Sequence, residues 1–203
     1  MAVSALREAP DLIERVKCAM VRAHEDWETN GRATRSLKSH LWMLGFELAD
    51  ECGVPLYPFA NGLSAQAGED HARRRLEERG AHFWGRTEEH SVLREFTYDV
   101  AWAELDDEYE SDARVPGFRR LVLALESELQ NEWEVLFDFH KLLSARADLR
   151  VMVWDLNRLD NGFDLLDARL RQADGWDDGY WLLSGWGRDG FEHVDYHDGK
   201  RQN

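Results

Sequence analysis

An apolar run that ends in two acidic residues restricts the fold of this chain more than any other feature. Residues 120–130 read RLVLALESELQ, and residues 121–125 within them are all apolar. A short apolar run of this kind indicates a buried strand. Side chains alternate along a strand, so Glu126 and Glu128 project from one face and Ser127 from the other. The run therefore predicts a central strand that carries two carboxylates at its carboxyl end.

The rest of the chain changes from helical spacing of its apolar residues to strand-like alternation. The pattern predicts, in order, helices over 10–28 and 35–51, a short edge strand within 54–68, a charged helix over 69–79, strands over 94–105 and 120–128, a helix over 132–146, a strand over 147–154, a helix over 159–172, and two closing strands around Gly187 and Gly190. This order predicts an α/β fold with a mixed central sheet flanked by helices. The strand-helix-strand segment over 121–154 should be a parallel crossover.

Apolar residues recur at helical spacing over 132–146. We expect the stripe formed by Trp133, Leu136, Phe137, His140 and Leu143 to face inward.

The length of 203 residues predicts a single domain over 1–203. It would consist of N-terminal helices in 1–60, a strand-strand-helix-strand core in 94–155, and a helix with strands in 156–203. No apolar stretch reaches the roughly 18 residues of a membrane span, and the first residues lack the apolar core of a signal peptide. Cys18 and Cys52 form no CxxC pair. We therefore expect a reduced cytoplasmic protein with no membrane contact.

The formal net charge of −15 argues against an extended nucleic-acid surface, because phosphate contacts require lysine and arginine. Two short basic runs exist, one at Arg73–Arg75 and one at Arg119–Arg120. Charge runs of this kind are usually solvated. Carboxylates could still bind cations that in turn face phosphate.

A third carboxylate, Asp99, lies within the strand that precedes the apolar run. If the two strands pair as a hairpin, Asp99 would reach the end where Glu126 and Glu128 lie. Three carboxylates close together repel one another and need a proton, a basic partner or a divalent cation. An oxygen-rich set of ligands of this kind suits Mg²⁺ or Mn²⁺.

This arrangement resembles the PD-(D/E)xK nuclease superfamily, which has the restriction-endonuclease-like fold. The resemblance covers about residues 35–155. It rests on an Asp at one strand, Glu-x-Glu on the next strand, and a helix and a buried strand that follow. The helical segment SLKSHLWMLGFELADECGVPLY also resembles the helix that precedes the core sheet in many members.

The resemblance implies a role for each of these residues. Asp99 and Glu126 would hold the metal, and Glu128 occupies the position where most members have lysine. Two departures stand out: Tyr98 precedes Asp99 where the motif has proline, and the lysine is missing from its usual place. Lys141, on the following helix, is a candidate for a relocated lysine. Glu128 or Lys141 would then orient the attacking water or remove its proton.

Two functional hypotheses follow from these patterns. The first is a nuclease that depends on Mg²⁺ or Mn²⁺ and hydrolyses phosphodiester bonds in nucleic acid, as the resemblance implies. The second is a non-catalytic acidic interaction protein that keeps the nuclease-like fold and binds a basic partner. The net charge and the missing lysine favour the second, whereas the acids that share one strand face favour the first.

Overall fold

A computed structural model describes residues 10–31, 33–54, 56–61, 98–105 and 118–202. Its helices are α1 (Pro10–Asn30), α2 (Ala33–Cys52), α3 (Glu132–Ser144) and α4 (Gly162–Gln172), and its strands are β1 (Leu56–Ala60), β2 (Val100–Leu105), β3 (Phe118–Glu128), β4 (Ala147–Asp155), β5 (Tyr180–Gly187), β6 (Gly190–His197) and β7 (Lys200–Arg201). The predicted helix over 69–79, the basic run at Arg73–Arg75 and residues 94–97 lie outside the described ranges.

All seven described strands belong to one mixed sheet in the order β1-β2-β3-β4-β5-β6-β7. β2 pairs antiparallel with both β1 and β3. β4 pairs parallel with both β3 and β5, and β6 pairs antiparallel with both β5 and β7. The predicted adjacency of the strands within 94–105 and 120–128 in one sheet is confirmed over the described residues, since β2 pairs with β3, and their pairing is antiparallel. The predicted parallel crossover is confirmed by β3 and β4, which α3 connects.

Helices cover both faces of the sheet, as predicted for a mixed sheet of this class. One apolar cluster joins α1 and α2 to Leu123 and Leu125 of β3. The other cluster joins α3 and α4 to the opposite face, which includes Ala124 of β3 and Met152 of β4. This alternation along β3 follows from the twofold side-chain period of a strand. No helix in the described ranges is both long enough and apolar enough to span a bilayer.

Helix α2 lies with its backbone unusually close to the sheet at Gly45. A Cβ atom at that position would lie 2.7 Å from Pro58 Cγ and 2.7 Å from Trp102 Nε1. One turn earlier, the Trp42 indole donates a hydrogen bond to the Pro58 carbonyl over 3.1 Å. These contacts fix α2 against β1 and β2, and so they fix the position of Lys38 at the end of β2.

The predicted inward stripe of the helix over 132–146 is wrong for Trp133, Phe137 and His140, which are exposed. Its other two members, Leu136 and Leu143, are partly buried against the cluster beneath α3. Trp133 and Phe137 are 75% and 58% exposed, whereas Val135, Phe139 and Leu142 are fully buried. Both stripes recur at helical spacing, so periodicity alone could not choose between them. Tertiary packing decides, because residues 135, 139 and 142 join the buried cluster on this face of the sheet.

Candidate functional site

The carboxyl end of β3 presents its two glutamates toward α3, as their alternation predicted. Glu126 and Glu128 lie on the face of Ala124, which belongs to the cluster beneath α3 and α4. Their register partners on the parallel neighbour β4 are Met152 and Trp154. This end of the strand is therefore covered on the α3 side, and Glu126 is only 2% exposed.

Lys141 of α3 is the cation that faces Glu126. Its Nζ lies 2.5 Å from Glu126 Oε1 and 3.1 Å from Asp138 Oδ1. Burial raises the pKa of Glu126 to about 8, although Lys141 acts to lower it. Burial alone would lower the pKa of Lys141, but the Glu126 and Asp138 carboxylates raise it above its ordinary value. The ammonium group is therefore the more firmly charged partner at neutral pH.

Glu126 Oε1 has an unusual environment for a buried carboxylate oxygen. It accepts no hydrogen bond of good geometry from the described residues, despite the close ammonium group. Buried carboxylates normally have all their hydrogen-bonding capacity satisfied, because an unpaired buried charge is costly. When Glu126 is ionised, this oxygen is therefore compensated by the charge of the Lys141 ammonium group and not by a well-aligned hydrogen bond.

Asp99 lies immediately before β2 and is held by three donors. Its Oδ1 accepts from Lys38 Nζ of α2 over 2.6 Å, and its Oδ2 accepts from Ser127 N over 3.0 Å and from Ser127 Oγ over 2.7 Å. The backbone is fixed as well, since Asn61 N donates to the Asp99 carbonyl and Asn61 Nδ2 donates to the Tyr98 carbonyl. Both oxygens of Asp99 are therefore engaged on the side of the sheet that α2 covers.

The two acids expected to share a metal thus lie at the same end of β3 but have different basic partners. Asp99 binds Lys38, and Glu126 pairs with Lys141. They still act on each other, because the negative charge of Asp99 contributes to raising the pKa of Glu126. Within the described ranges, no three His, Cys, Asp or Glu side chains are arranged to hold a metal ion.

Glu128 lies farther along the same strand face, where α3 begins. Its Oε1 accepts a hydrogen bond from Gln130 N over 2.5 Å. Burial raises the pKa of Glu128, and the neighbouring Glu134 and Asp138 carboxylates add to that rise. Glu128 is therefore a carboxyl with an increased affinity for a proton, close to the Glu126–Lys141 pair.

The sequence-based reasoning placed Lys141 among the candidates but missed Lys38, Ser127 and Asn61. Ser127 lies between the two glutamates in the chain. It was not among the candidate site residues, and the alternation places it on the opposite strand face. One feature of the sequence could have identified Lys38. It follows Leu37, which is buried, on a helix that was predicted to pack on the sheet. Its contact with Asp99 spans 61 residues of sequence and depends on the packing of α2.

The described basic run at Arg119–Arg120 lies near the other end of β3. Arg120 Nε is 2.7 Å from Glu104 Oε2, and Arg119 Nη1 is 3.7 Å from Glu104 Oε1. Arg120 also contacts Asp148. These two arginines are thus engaged with carboxylates, and they do not form a basic surface beside Glu126.

No family model, no curated protein and no solved structure matches this chain.

Proposed function

We propose that the protein is a divalent-metal-dependent nuclease whose site comprises Asp99, Glu126, Glu128 and Lys141. One observation carries the proposal. Lys141 reaches from the helix after β3 onto the buried Glu126, while Asp99 lies at the same end of the neighbouring strand. This juxtaposition supplies an acid, a second acid and a relocated lysine from the three positions that the resemblance singles out.

The carboxylates suit Mg²⁺ or Mn²⁺ in their chemistry, since both ions prefer oxygen ligands. Glu126 Oε1 is 2.5 Å from the Lys141 ammonium group, so an ion there would compete with Lys141, and both Asp99 oxygens are engaged by Lys38 and Ser127. A cation at Asp99 would therefore compete with the Lys38 ammonium group. When bound, the metal would neutralise charge on a phosphodiester and lower the pKa of a water molecule.

The residues of the chain itself would orient the reactants and accept the proton. Lys141 remains an ammonium group because the Glu126 and Asp138 carboxylates raise its pKa, so it suits charge stabilisation better than proton removal. Glu128 has a raised pKa and lies on the same strand face as Glu126. We assign Glu128 as the acceptor of the proton from the attacking water.

The net charge of −15 limits the substrates that this site could bind without help. Few cations would face the phosphates, so generic nucleic acid should bind weakly and with strong salt sensitivity. We expect cleavage of a specific structure, or cleavage that needs a basic partner protein, in preference to rapid degradation of random DNA.

The test is a cleavage assay on labelled single- and double-stranded DNA and RNA with Mg²⁺, Mn²⁺ or EDTA. Asp99→Asn and Glu126→Gln preserve shape, and each should lower the rate by about 100-fold or more. Lys141→Met and Glu128→Gln separate charge stabilisation from proton removal by the direction of their effects on the pH dependence of the rate. Lys141→Met should move that dependence to higher pH, because the pKa of Glu126 rises without the ammonium group, whereas Glu128→Gln should remove the contribution of the proton acceptor.

Arg158→Met is the matched control, since Arg158 is exposed and only 3.7 Å from Asp155 in a surface pair. It should leave the rate unchanged. Cleavage that survives both Asp99→Asn and Glu126→Gln, in variants shown by circular dichroism to be folded, would refute this site. The absence of cleavage on every substrate would favour the non-catalytic interaction protein.

A further inference from the structure

Helix α3 exposes an aromatic stripe that the fold does not use. Trp133 and Phe137 are 75% and 58% exposed, and they are four residues apart, so they lie next to each other on one helix face. In the described ranges, the other exposed large hydrophobic side chains are Val21 of α1 and Phe118 of β3. We call Trp133 and Phe137 the α3 aromatic stripe.

The α3 aromatic stripe is presented on a rigid support. The opposite side of the helix is anchored by Val135, Phe139 and Leu142, which are all fully buried. The helix begins at a well-formed cap, in which Asn131 Oδ1 accepts from Glu134 N over 3.0 Å. The two aromatic side chains are therefore held on a fixed backbone, which lowers the entropy lost on binding.

The rim of the α3 aromatic stripe is acidic. Glu134 lies three residues before Phe137 and so beside it on the helix surface, Glu132 precedes Trp133 at the start of the helix, and both glutamates are exposed. Asp138 follows Phe137, and the one lysine of the helix, Lys141, is already paired with Glu126 and Asp138. A ligand that covers the stripe therefore meets aromatic surface at its centre and negative charge at its edge.

We propose that the α3 aromatic stripe binds a basic amphipathic helix of another protein. The apolar face of such a helix would pack on Trp133 and Phe137, in the manner of an amphipathic helix on a hydrophobic surface. Its lysine or arginine side chains would meet Glu132 and Glu134, and one could lie over the Trp133 indole in a cation–π contact. Nucleic acid fits this surface less well, because its phosphates would face the acidic rim. This interaction is independent of the proposed nuclease activity.

The experiment measures the fluorescence anisotropy of a labelled synthetic peptide as it binds the protein, in buffer that contains no divalent metal. The peptide forms an amphipathic helix with leucines on one face and arginines on its flanks. Wild-type protein should bind it, and the double variant Trp133→Ala/Phe137→Ala should bind about tenfold more weakly or worse. Phe118→Ala is the matched control, because it removes an equally exposed aromatic group elsewhere. Glu132→Gln/Glu134→Gln should weaken binding at low salt and flatten its salt dependence.

Four results would overturn the proposal. The first is no binding of the peptide to wild-type protein, and the second is equal binding of a peptide with the same residues in scrambled order. The third is preferential binding of a labelled single-stranded oligonucleotide over the peptide, if that binding is abolished in Trp133→Ala/Phe137→Ala. The fourth is a wild-type dimer in sedimentation that the same double variant converts to monomer, since a second copy would then cover the stripe.

Discussion

Lys141 Nζ lies 2.5 Å from the buried Oε1 of Glu126, and it reaches that oxygen from the helix that follows the strand. The pair places a partly exposed ammonium group against a carboxylate that is only 2% exposed. Lys141 is the cation that compensates ionised Glu126 within the part of the chain that the structure describes, so the pair connects the stability of the protein to its proposed chemistry.

The first prediction concerns the loss of that ammonium group. Lys141→Met should lower the free energy of unfolding by about 1–3 kcal/mol at alkaline pH, where Glu126 would otherwise be ionised and paired. The loss should be smaller at mildly acidic pH, because a protonated Glu126 needs no counterion. Urea unfolding at both pH values measures the difference. Arg158→Met should change the free energy by no more than about 0.5 kcal/mol at either pH.

The second prediction is the pH dependence that Glu126 itself causes. Its pKa rises from 4.5 to about 8 on folding, so the folded state holds the extra proton between these values. Unfolding then releases a proton, and stability falls as the pH rises through this window. Glu126→Gln removes the titration, so its free energy of unfolding should change less with pH. Glu128 should leave a residual slope of the same sign, because its pKa is also raised.

In the upper part of that pH window, Glu126 contributes to the pH dependence of stability and His193 does not. Burial lowers the pKa of His193 from 6.5 to about 4, so the unfolded state holds the extra proton between these values. His193 therefore makes stability rise with pH up to about 6.5 and adds nothing above it. Urea unfolding of wild type and Glu126→Gln between pH 6.5 and about 8 is the relevant comparison. Parallel slopes for the two proteins would contradict the prediction.

The third prediction concerns divalent ions. Millimolar Mg²⁺ or Mn²⁺ should raise the melting temperature of wild-type protein, because an ion that binds only the folded state stabilises it. Asp99→Asn combined with Glu126→Gln should abolish the shift. Lys38→Met should enlarge it, because Asp99 Oδ1 then loses the ammonium group that competes with the ion.

Lys17→Met provides the control for that measurement. Like Lys38, Lys17 forms ion pairs with carboxylates, but its partners lie elsewhere. They are Glu14 of α1 at 2.8 Å and Asp195 of β6 at 3.0 Å. Its removal should leave the metal-dependent shift as it is in wild type. A shift that grows equally in Lys17→Met and Lys38→Met would indicate nonspecific binding of ions to an acidic protein.

The fourth prediction tests which side of α3 is buried. Phe139→Ala removes a fully buried ring and should cost about 3–5 kcal/mol of unfolding free energy. Phe137→Ala, in the same helix, removes an exposed ring and should stay within about 0.5 kcal/mol. Chemical denaturation of the two variants gives the comparison directly. Equal losses would mean that α3 is rotated about its axis from the position described above.

Sequence alone determined the elements and the faces of the strands. The alternation along 120–128 was sufficient to place Glu126 and Glu128 on one face and Ser127 on the other, because the twofold period of a strand is fixed by its backbone. The same local rules predicted that β2 and β3 are neighbours in one sheet and that β3 and β4 form a parallel crossover. The choice of Lys141 followed from the resemblance, as a candidate relocated lysine, and its helix side predicted the pairing with Asp138.

The tertiary structure decided what these residues contact. Phe139 of α3 is buried in the cluster on the sheet and Phe137 is exposed, an orientation that packing selects and that helical periodicity leaves open. The close approach of α2 at Gly45 brings Lys38 to Asp99. Asp99 therefore pairs with Lys38 and does not share the cation that pairs with Glu126. Spacing along the chain reports which side chains share a face. Only packing between distant segments fixes which charges meet, since it sets distances that no local pattern contains.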